Sequence, residues 1–593
     1  MRLLLFLLFT LVAACGSGSD VTSDAGSPDG DSPDGSCDAG CQSSDATLAA
    51  LAVVPANVGE LTPSFAPEVT SYSWKVPFWI TEVSLVPTAA ATSAKITVDG
   101  APIVSGTSTP ALALDVGANP FAIDVTAANG DVRTYTVVVV RAPEHYVKAS
   151  NTGAGDRFGG AIAISGDTMV VGASGESSAA TGVGGDETNN SAAASGAVYV
   201  FVRSETGWSQ QAYLKASNTD AGDYFGSAVA LDGDTLVVGA LGEDSASATI
   251  DGNQADNSLG DAGAVYVFER TGTTWAQTAY LKSPNPSRYG YFGASLGLEN
   301  DRLAVGAYYE WVGSARTGAV YVLERSGGTW SVKDQLTAAQ GDSNDWFGQT
   351  IALSGDTIAV GAYGEDSSAN AINGDQSDES LTASGAAYVF RLVGTDWMQE
   401  AFIKPRNPRA NGFFGRALSL SGDTLAVGSY VDASGATGIG GDVTDTSADR
   451  SGAVFVYRRS GTTWSEEAYI KSSNSNAGDY FGMQLVIDGD RLAVSAPDES
   501  SSASGVGGDR TDNSLDGSGA VYLFERAGGT WSERAYIKAA TPGESDRMGD
   551  SGIALEGTAL AIGVISDDST ATGIGGDATD NSAVDSGAVY VLY

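Results

Sequence analysis

Residues 225–282 read FGSAVALDGDTLVVGALGEDSASATIDGNQADNSLGDAGAVYVFERTGTTWAQTAYLK. Ser227–Leu231 and Leu236–Ala240 are short β-rich runs joined by the tight turn Gly233-Asp234-Thr235. Residues 241–262 are mostly Gly, Ser, Asp, Asn and Ala and read as a long loop. Gly263–Arg270 and Trp275–Lys282 make a second pair of strands around Gly272-Thr273-Thr274. In Ala264-Val265-Tyr266-Val267-Phe268 both alternate faces are apolar. A strand with one face in water would alternate with polar residues, so this strand is expected to be covered on both sides.

The unit recurs. Phe-Gly stands at 158, 225, 292, 347, 414 and 481, with Met548-Gly549 as a degenerate seventh copy, at spacings of 67, 67, 55, 67, 67 and 67. A fixed period of this kind means stacked copies of one supersecondary unit. Seven units of four antiparallel strands across residues 145–593 predict an all-β fold, a seven-bladed β-propeller. Its closure is also legible. A lysine falls ten residues before the Phe-Gly position at Lys215, Lys282, Lys404, Lys471 and Lys538, and His145-Tyr146-Val147-Lys148 stands at the same distance before the first copy. Tyr593 directly follows the third strand of unit seven, so the N-terminal copy is expected to supply the missing fourth strand and remove an open edge.

Upstream, Met1-Arg2 followed by the apolar run Leu3–Leu11 and the small residues before Cys15 has the layout of a secretory signal, with residues 1–14 removed. The run is too short to span a bilayer. Residues 15–45 are rich in Gly, Ser, Asp and Pro and read as a flexible acidic tether. Cys37 and Cys41 within it suit a small local disulfide in an oxidising compartment. Residues 46–142 hold six or seven short strands punctuated by turn residues, as in Ser71–Val76, Phe121–Ala127 and Arg133–Val140, and predict a small β-sandwich.

These segments resemble known families. The small-small-Cys ending resembles the lipobox of bacterial lipoproteins, which implies lipidation of Cys15. Leu61-Thr62-Pro63-Ser64-Phe65, Tyr72, Gly117-Ala118-Asn119, Asn129-Gly130 and Tyr135 resemble the cadherin-like β-sandwich of bacterial surface proteins. The Phe-Gly positions with Val171-Gly172-Ala173, Val238-Gly239-Ala240, Val305-Gly306-Ala307 and Val360-Gly361-Ala362 resemble FG-GAP repeats, the propeller repeats of integrin alpha chains. That resemblance implies a cell-surface recognition scaffold. It does not carry over the family's calcium ligands, because the link between strands one and two is only a tight turn such as Ser165-Gly166-Asp167-Thr168.

In such a unit the 2–3 and 4–1 loops share one rim, and the 2–3 loops are long in every unit but the third. Acids gather there. Glu176, Glu243, Glu310, Glu365, Asp432, Glu499 and Asp567 follow the second strands, and Asp156, Asp223, Asp345, Asp479 and Asp546 stand two residues before the Phe-Gly position. A deeper set comprises Asp186, Asn253, Asp375, Asp442, Asp509 and Asp577, answered three residues on by Asn189, Asp256, Asp378, Asp445, Asp512 and Asp580. Calcium takes six to eight oxygens, and such a loop can offer Asp, Asn, Ser and carbonyl oxygens. The competing reading is solvated turn chemistry. Trp208, Trp275, Trp330, Trp397, Trp464 and Trp531 open fourth strands and read as packing. Tyr308, Tyr309 and Trp311 lie in the short loop of unit three and are candidates for a ligand site, or for packing that loop down.

The chain carries 31 Lys and Arg against 72 Asp and Glu, a net charge of −41, with a single histidine. Acidity of this degree disfavours nucleic acid and anionic membrane surfaces as partners. The one histidine, His145, sits in the closing strand and reads as structural, which leaves no Ser-His-Asp hydrolase and no His-rich zinc site. The expectation is a non-enzymatic, exported and lipid-anchored envelope protein binding an extracellular protein or polysaccharide. The alternatives are a carbohydrate-active enzyme using rim carboxylates and an inert envelope spacer.

Overall fold

The computed structural model describes residues 42–56, 58–204 and 207–593. Cys15, Cys37 and Cys41, with the signal and nearly all of the tether, lie outside the described residues. Among the described residues there are strands and connections but no helix, and therefore none long and apolar enough to cross a membrane.

The N-terminal part is a sandwich of two sheets. Leu48–Val54, Glu82–Ala89 and Leu112–Ala113 form one. Leu61–Thr62, Ser71–Val76, Val132–Arg141, Gly117–Thr126, Lys95–Val98 and Ala101–Ile103 form the other, in that order. Alternation along Ser71–Val76 turns Tyr72, Trp74 and Val76 inward, where they meet Tyr135, Val137, Ile123 and Leu85. Polar ends of the buried rings find partners: Tyr135 OH donates to Pro67 O at 2.7 Å and Trp74 Nε1 to Val58 O at 2.6 Å.

Seven four-stranded antiparallel sheets follow. In the second, Phe225–Asp232, Thr235–Ala240, Ala264–Thr271 and Thr274–Leu281 pair in sequence order. The second strand of this sheet is buried along its whole length and the third over Ala264–Phe268, as the two-faced apolar pattern requires. The seventh sheet is completed from the N-terminal side: Glu144–Val147 pairs with Ala588–Leu592, setting Tyr146 opposite Tyr590.

First strands of successive sheets contact one another, and Phe158–Ser165 of the first sheet contacts the seventh. The contacts explain the motif. Gly239 of the second sheet and Gly293 of the third pass so closely that a Cβ on Gly239 would lie 2.1 Å from Gly293 O; the same crossing joins Gly563 of the last sheet to Gly159 of the first, at 2.2 Å. Both glycines are needed because two backbones meet where a side chain would stand. All seven first strands line one central cavity of about 560 Å³. Repeated four-stranded sheets around a common centre are consistent with a propeller.

Candidate functional site

The long loops are stitched by their own acids. Asp186 Oδ1 accepts the Thr188 N–H at 2.9 Å and the Thr188 hydroxyl at 2.7 Å. Asp375, Asp442, Asp509 and Asp577 do the same with Ser377, Thr444, Thr511 and Thr579. The partner three residues on reaches across the loop: Asp256, Asp378, Asp445, Asp512 and Asp580 accept the N–H of Ala246, Ser368, Gly435, Ser502 and Thr570. Asn189 and Asn253 accept from Ser191 and Ala255. Hydrogen bonds from serine hydroxyls hold the Asp378 and Asp512 carboxyls down at about 2, and those from Thr570 and Ser582 do so for Asp580. Among the described residues no group of three or more His, Cys, Asp or Glu stands close enough to hold a metal ion.

The acids after the second strands are not rim groups. They are buried, because lysines of the fourth strands reach in to meet them. Lys215 Nζ lies 2.8 Å from Glu176, Lys282 2.6 Å from Glu243, Lys404 2.6 Å from Glu365, Lys471 3.5 Å from Asp432 and Lys538 2.8 Å from Glu499. The closing strand completes the series with Lys148 2.9 Å from Asp567. In the third sheet Thr337 occupies the lysine position. Glu310 there takes hydrogen bonds from Tyr321 OH and, at 2.8 Å, from Ser283 Oγ, and burial pushes its carboxyl up to about 7. Of the acids before the Phe-Gly position, Asp156, Asp223, Asp345 and Asp479 are buried too and Asp546 is half-buried. Each accepts the N–H three residues upstream, as Asp156 does from Gly153 at 2.7 Å, and burial raises Asp156, Asp223, Asp345 and Asp479 to about 7 and Asp546 to about 6.

The ring's distinctive chemistry stands on the long-loop side, around the mouth of the central cavity. The residue before each Phe-Gly position has positive φ in all seven units, and five of these residues are aromatic: Tyr224, Tyr291, Trp346, Phe413 and Tyr480. The residue after the second strand adds Tyr308, Tyr363 and Tyr430. Tyr291 stacks on Tyr308 with centroids 5.2 Å apart, Trp346 meets Tyr363 at 4.6 Å, and Tyr363 meets Phe413 at 5.9 Å. Phe413 stacks on Tyr430 at 6.1 Å and Tyr430 meets Tyr480 at the same distance. The result is an arc of half-buried rings across sheets three to six.

Of the three aromatic residues singled out in the short loop, Tyr308 joins this arc. Tyr309 and Trp311 sit beside it under Arg316, whose guanidinium lies 4.6 Å from the first ring and 5.1 Å from the second, and Trp311 remains 42% exposed. The arc itself escaped the sequence reading, although an aromatic residue immediately before Phe-Gly is visible five times. The fourth-strand tryptophans are buried against arginines, as Trp275 is with Arg270 at 5.2 Å. His145 stacks on Tyr593, its Nε2 2.9 Å from the hydroxyl.

Tight repeated sheets, a sandwich ahead of them and an open loop face define a class of repeat-built scaffold. The FG-GAP repeat family matches residues 144–201, 208–268, 275–323, 330–390, 397–457 and 464–524, and the chain belongs to it. Each match runs from a fourth strand to the third strand of the next sheet, so the sequence repeat is offset from the sheet by one strand. The cadherin-like β-sandwich domain matches residues 48–142. A candidate membrane protein of Evansella cellulosilytica is 32% identical over 83 residues, which are 14% of this chain and 12% of that protein.

Proposed function

We propose that the chain is a closed seven-bladed β-propeller, held at the surface of the cell envelope by a lipid on Cys15, that recognises an extracellular protein or polysaccharide with its long-loop face. The observation carrying this reading is the docking of the sandwich. Phe78 and Trp79 pack with Leu555, Leu560 and Leu592 of the last sheet. Phe78 N–H donates to Tyr593 O at 3.3 Å, and Arg491 lies 5.2 Å from the Trp79 ring. These ring residues belong to the short-turn rim. An anchor ahead of the sandwich then tethers the ring by way of its short-turn rim and leaves the long-loop face uncovered by the sandwich.

Recognition is proposed over catalysis because six of the seven acids after the second strands are tied to buried lysines, and the deep-loop acids to the Ser, Thr and backbone N–H groups of their own loops. Glycoside cleavage needs two carboxylates in unlike environments. Calcium belongs to the proposal as an ion that stiffens the exposed loop acids; millimolar calcium then raises the melting temperature beyond what sodium chloride of equal ionic strength achieves. The function is tested by adding the fluorescently labelled mature chain to intact cells and to envelope polysaccharide and protein extracts. A second chain carries the long loops of sheets four and five cut to the length of the loop in sheet three. Binding by the first and loss in the second supports the reading. Equal binding by both, or none by either, overturns it, and release of reducing sugar would make the protein an enzyme.

A further inference from the structure

We infer that the aromatic arc at the mouth of the central cavity is a platform for a neutral polysaccharide chain; this rests on the recognition reading and names its ligand. The first ground is local conformation. A φ near +55° is a place for Gly, Asn or Asp, and a bulky side chain there costs of order 1–3 kcal/mol. Yet Tyr291, Trp346, Phe413 and Tyr480 occupy it. The turn explains the φ but not the rings, so the rings serve something other than the turn.

The second ground is continuity. Ring follows ring at 4.6 to 6.1 Å between Trp346 and Tyr480, each partly open to solvent. The rings are inclined at 37°, 72°, 13° and 42° to one another, so they present a faceted apolar surface rather than one flat face; with the phenolic hydroxyls of Tyr363, Tyr430 and Tyr480 it suits pyranose rings, which present apolar C–H faces and a hydroxyl perimeter. The third ground is charge. A cationic ligand would seek the ring faces, but of the arc's own rings Tyr430 already has the Arg416 guanidinium 5.5 Å away, and beside the arc Arg288 lies 5.0 Å from Tyr289 and Arg316 over Tyr309 and Trp311. A polyanion would approach a chain of net charge −41 whose surrounding loops carry exposed aspartates. An uncharged chain meets neither obstacle, and Arg416, which lies over Tyr430 and among the described residues hydrogen-bonds only to Met483 Sδ at 3.2 Å, keeps N–H groups for sugar oxygens.

Affinity electrophoresis of the full mature chain tests this in gels containing hydroxyethyl cellulose, laminarin, glucomannan or dextran, with alginate and oligolysine as charged probes. At least one neutral polysaccharide is expected to retard the chain. Tyr363→Ala and Tyr430→Ala should each weaken that retardation at least tenfold, and Tyr363→Phe far less. Where an alanine variant fails to fold, a blue shift of Trp346 emission on adding the same glycan to the unaltered chain, absent in Trp346→Phe, supports the site instead. The inference is overturned if no neutral glycan retards the chain, if the folded alanine variants bind as before, or if alginate or oligolysine binds more tightly. Should the chain still coat cells while every neutral glycan fails, recognition stands and the ligand class falls.

Discussion

Lys215 and Glu176 show what a single repeated pair contributes. Both side chains are buried, and the ion pair is completed by Ser195 Oγ at 2.8 Å from the lysine and Asn151 Nδ2 at 3.1 Å from the acid. A buried pair of this kind gains little over an apolar isostere, but removing one partner strands a charge at about 3–5 kcal/mol. Lys215→Met should therefore lower stability by about that amount in denaturant titration, and adding Glu176→Leu should recover most of it. The acids before the Phe-Gly positions carry a pH signature. Burial holds Asp156, Asp223, Asp345 and Asp479 near 7, above the range of an unfolded carboxyl. A raised carboxyl favours folding fully below its unfolded pKa and loses that contribution as pH rises through its folded value. The melting temperature is expected to lose this contribution as pH rises from about 4 to about 7, and Asp479→Asn should flatten part of that slope. The exposed loop acids act the other way: their depressed values make their contribution disappear only as pH falls below about 4 toward 2.

At the scale of the element, the strands and the ring-closing copy were legible because apolar runs, turns and the lysine ten residues before Phe-Gly are all local signals. The glycine crossing was visible as a motif but not as a contact, since Gly239 and Gly293 belong to different sheets. A Cβ on Gly239 has nowhere to go, so Gly239→Ala should cost about 3 kcal/mol, the upper range for overpacking. Gly233, which has φ +56° and open space around it, should cost about 1 kcal/mol as alanine, from backbone strain alone. The burial of Glu176 was hidden for a related reason. Its column and the lysine column are each plain in the sequence, but their meeting spans 39 residues and depends on how the sheet folds. The rings of the arc were individually visible and collectively not, because only the circular arrangement brings the ends of separate sheets together.

At the scale of the molecule, the sandwich docks on the short-turn side of the ring and the long loops stand on the other. Cys15→Ser should release the protein from the membrane fraction or block its processing; retention with unchanged cleavage would remove the lipid from the account. The central claim is that the long-loop face does the recognising. Amide hydrogen exchange of the chain, alone and bound to the envelope material it captures, tests it most directly. The account predicts slowed exchange in the loops between second and third strands and at the residues before the Phe-Gly positions, with no change at the short turns around Gly166, Gly233 and Gly355. Protection confined to those short turns or to the sandwich, with the long loops exchanging as in the free chain, would contradict it.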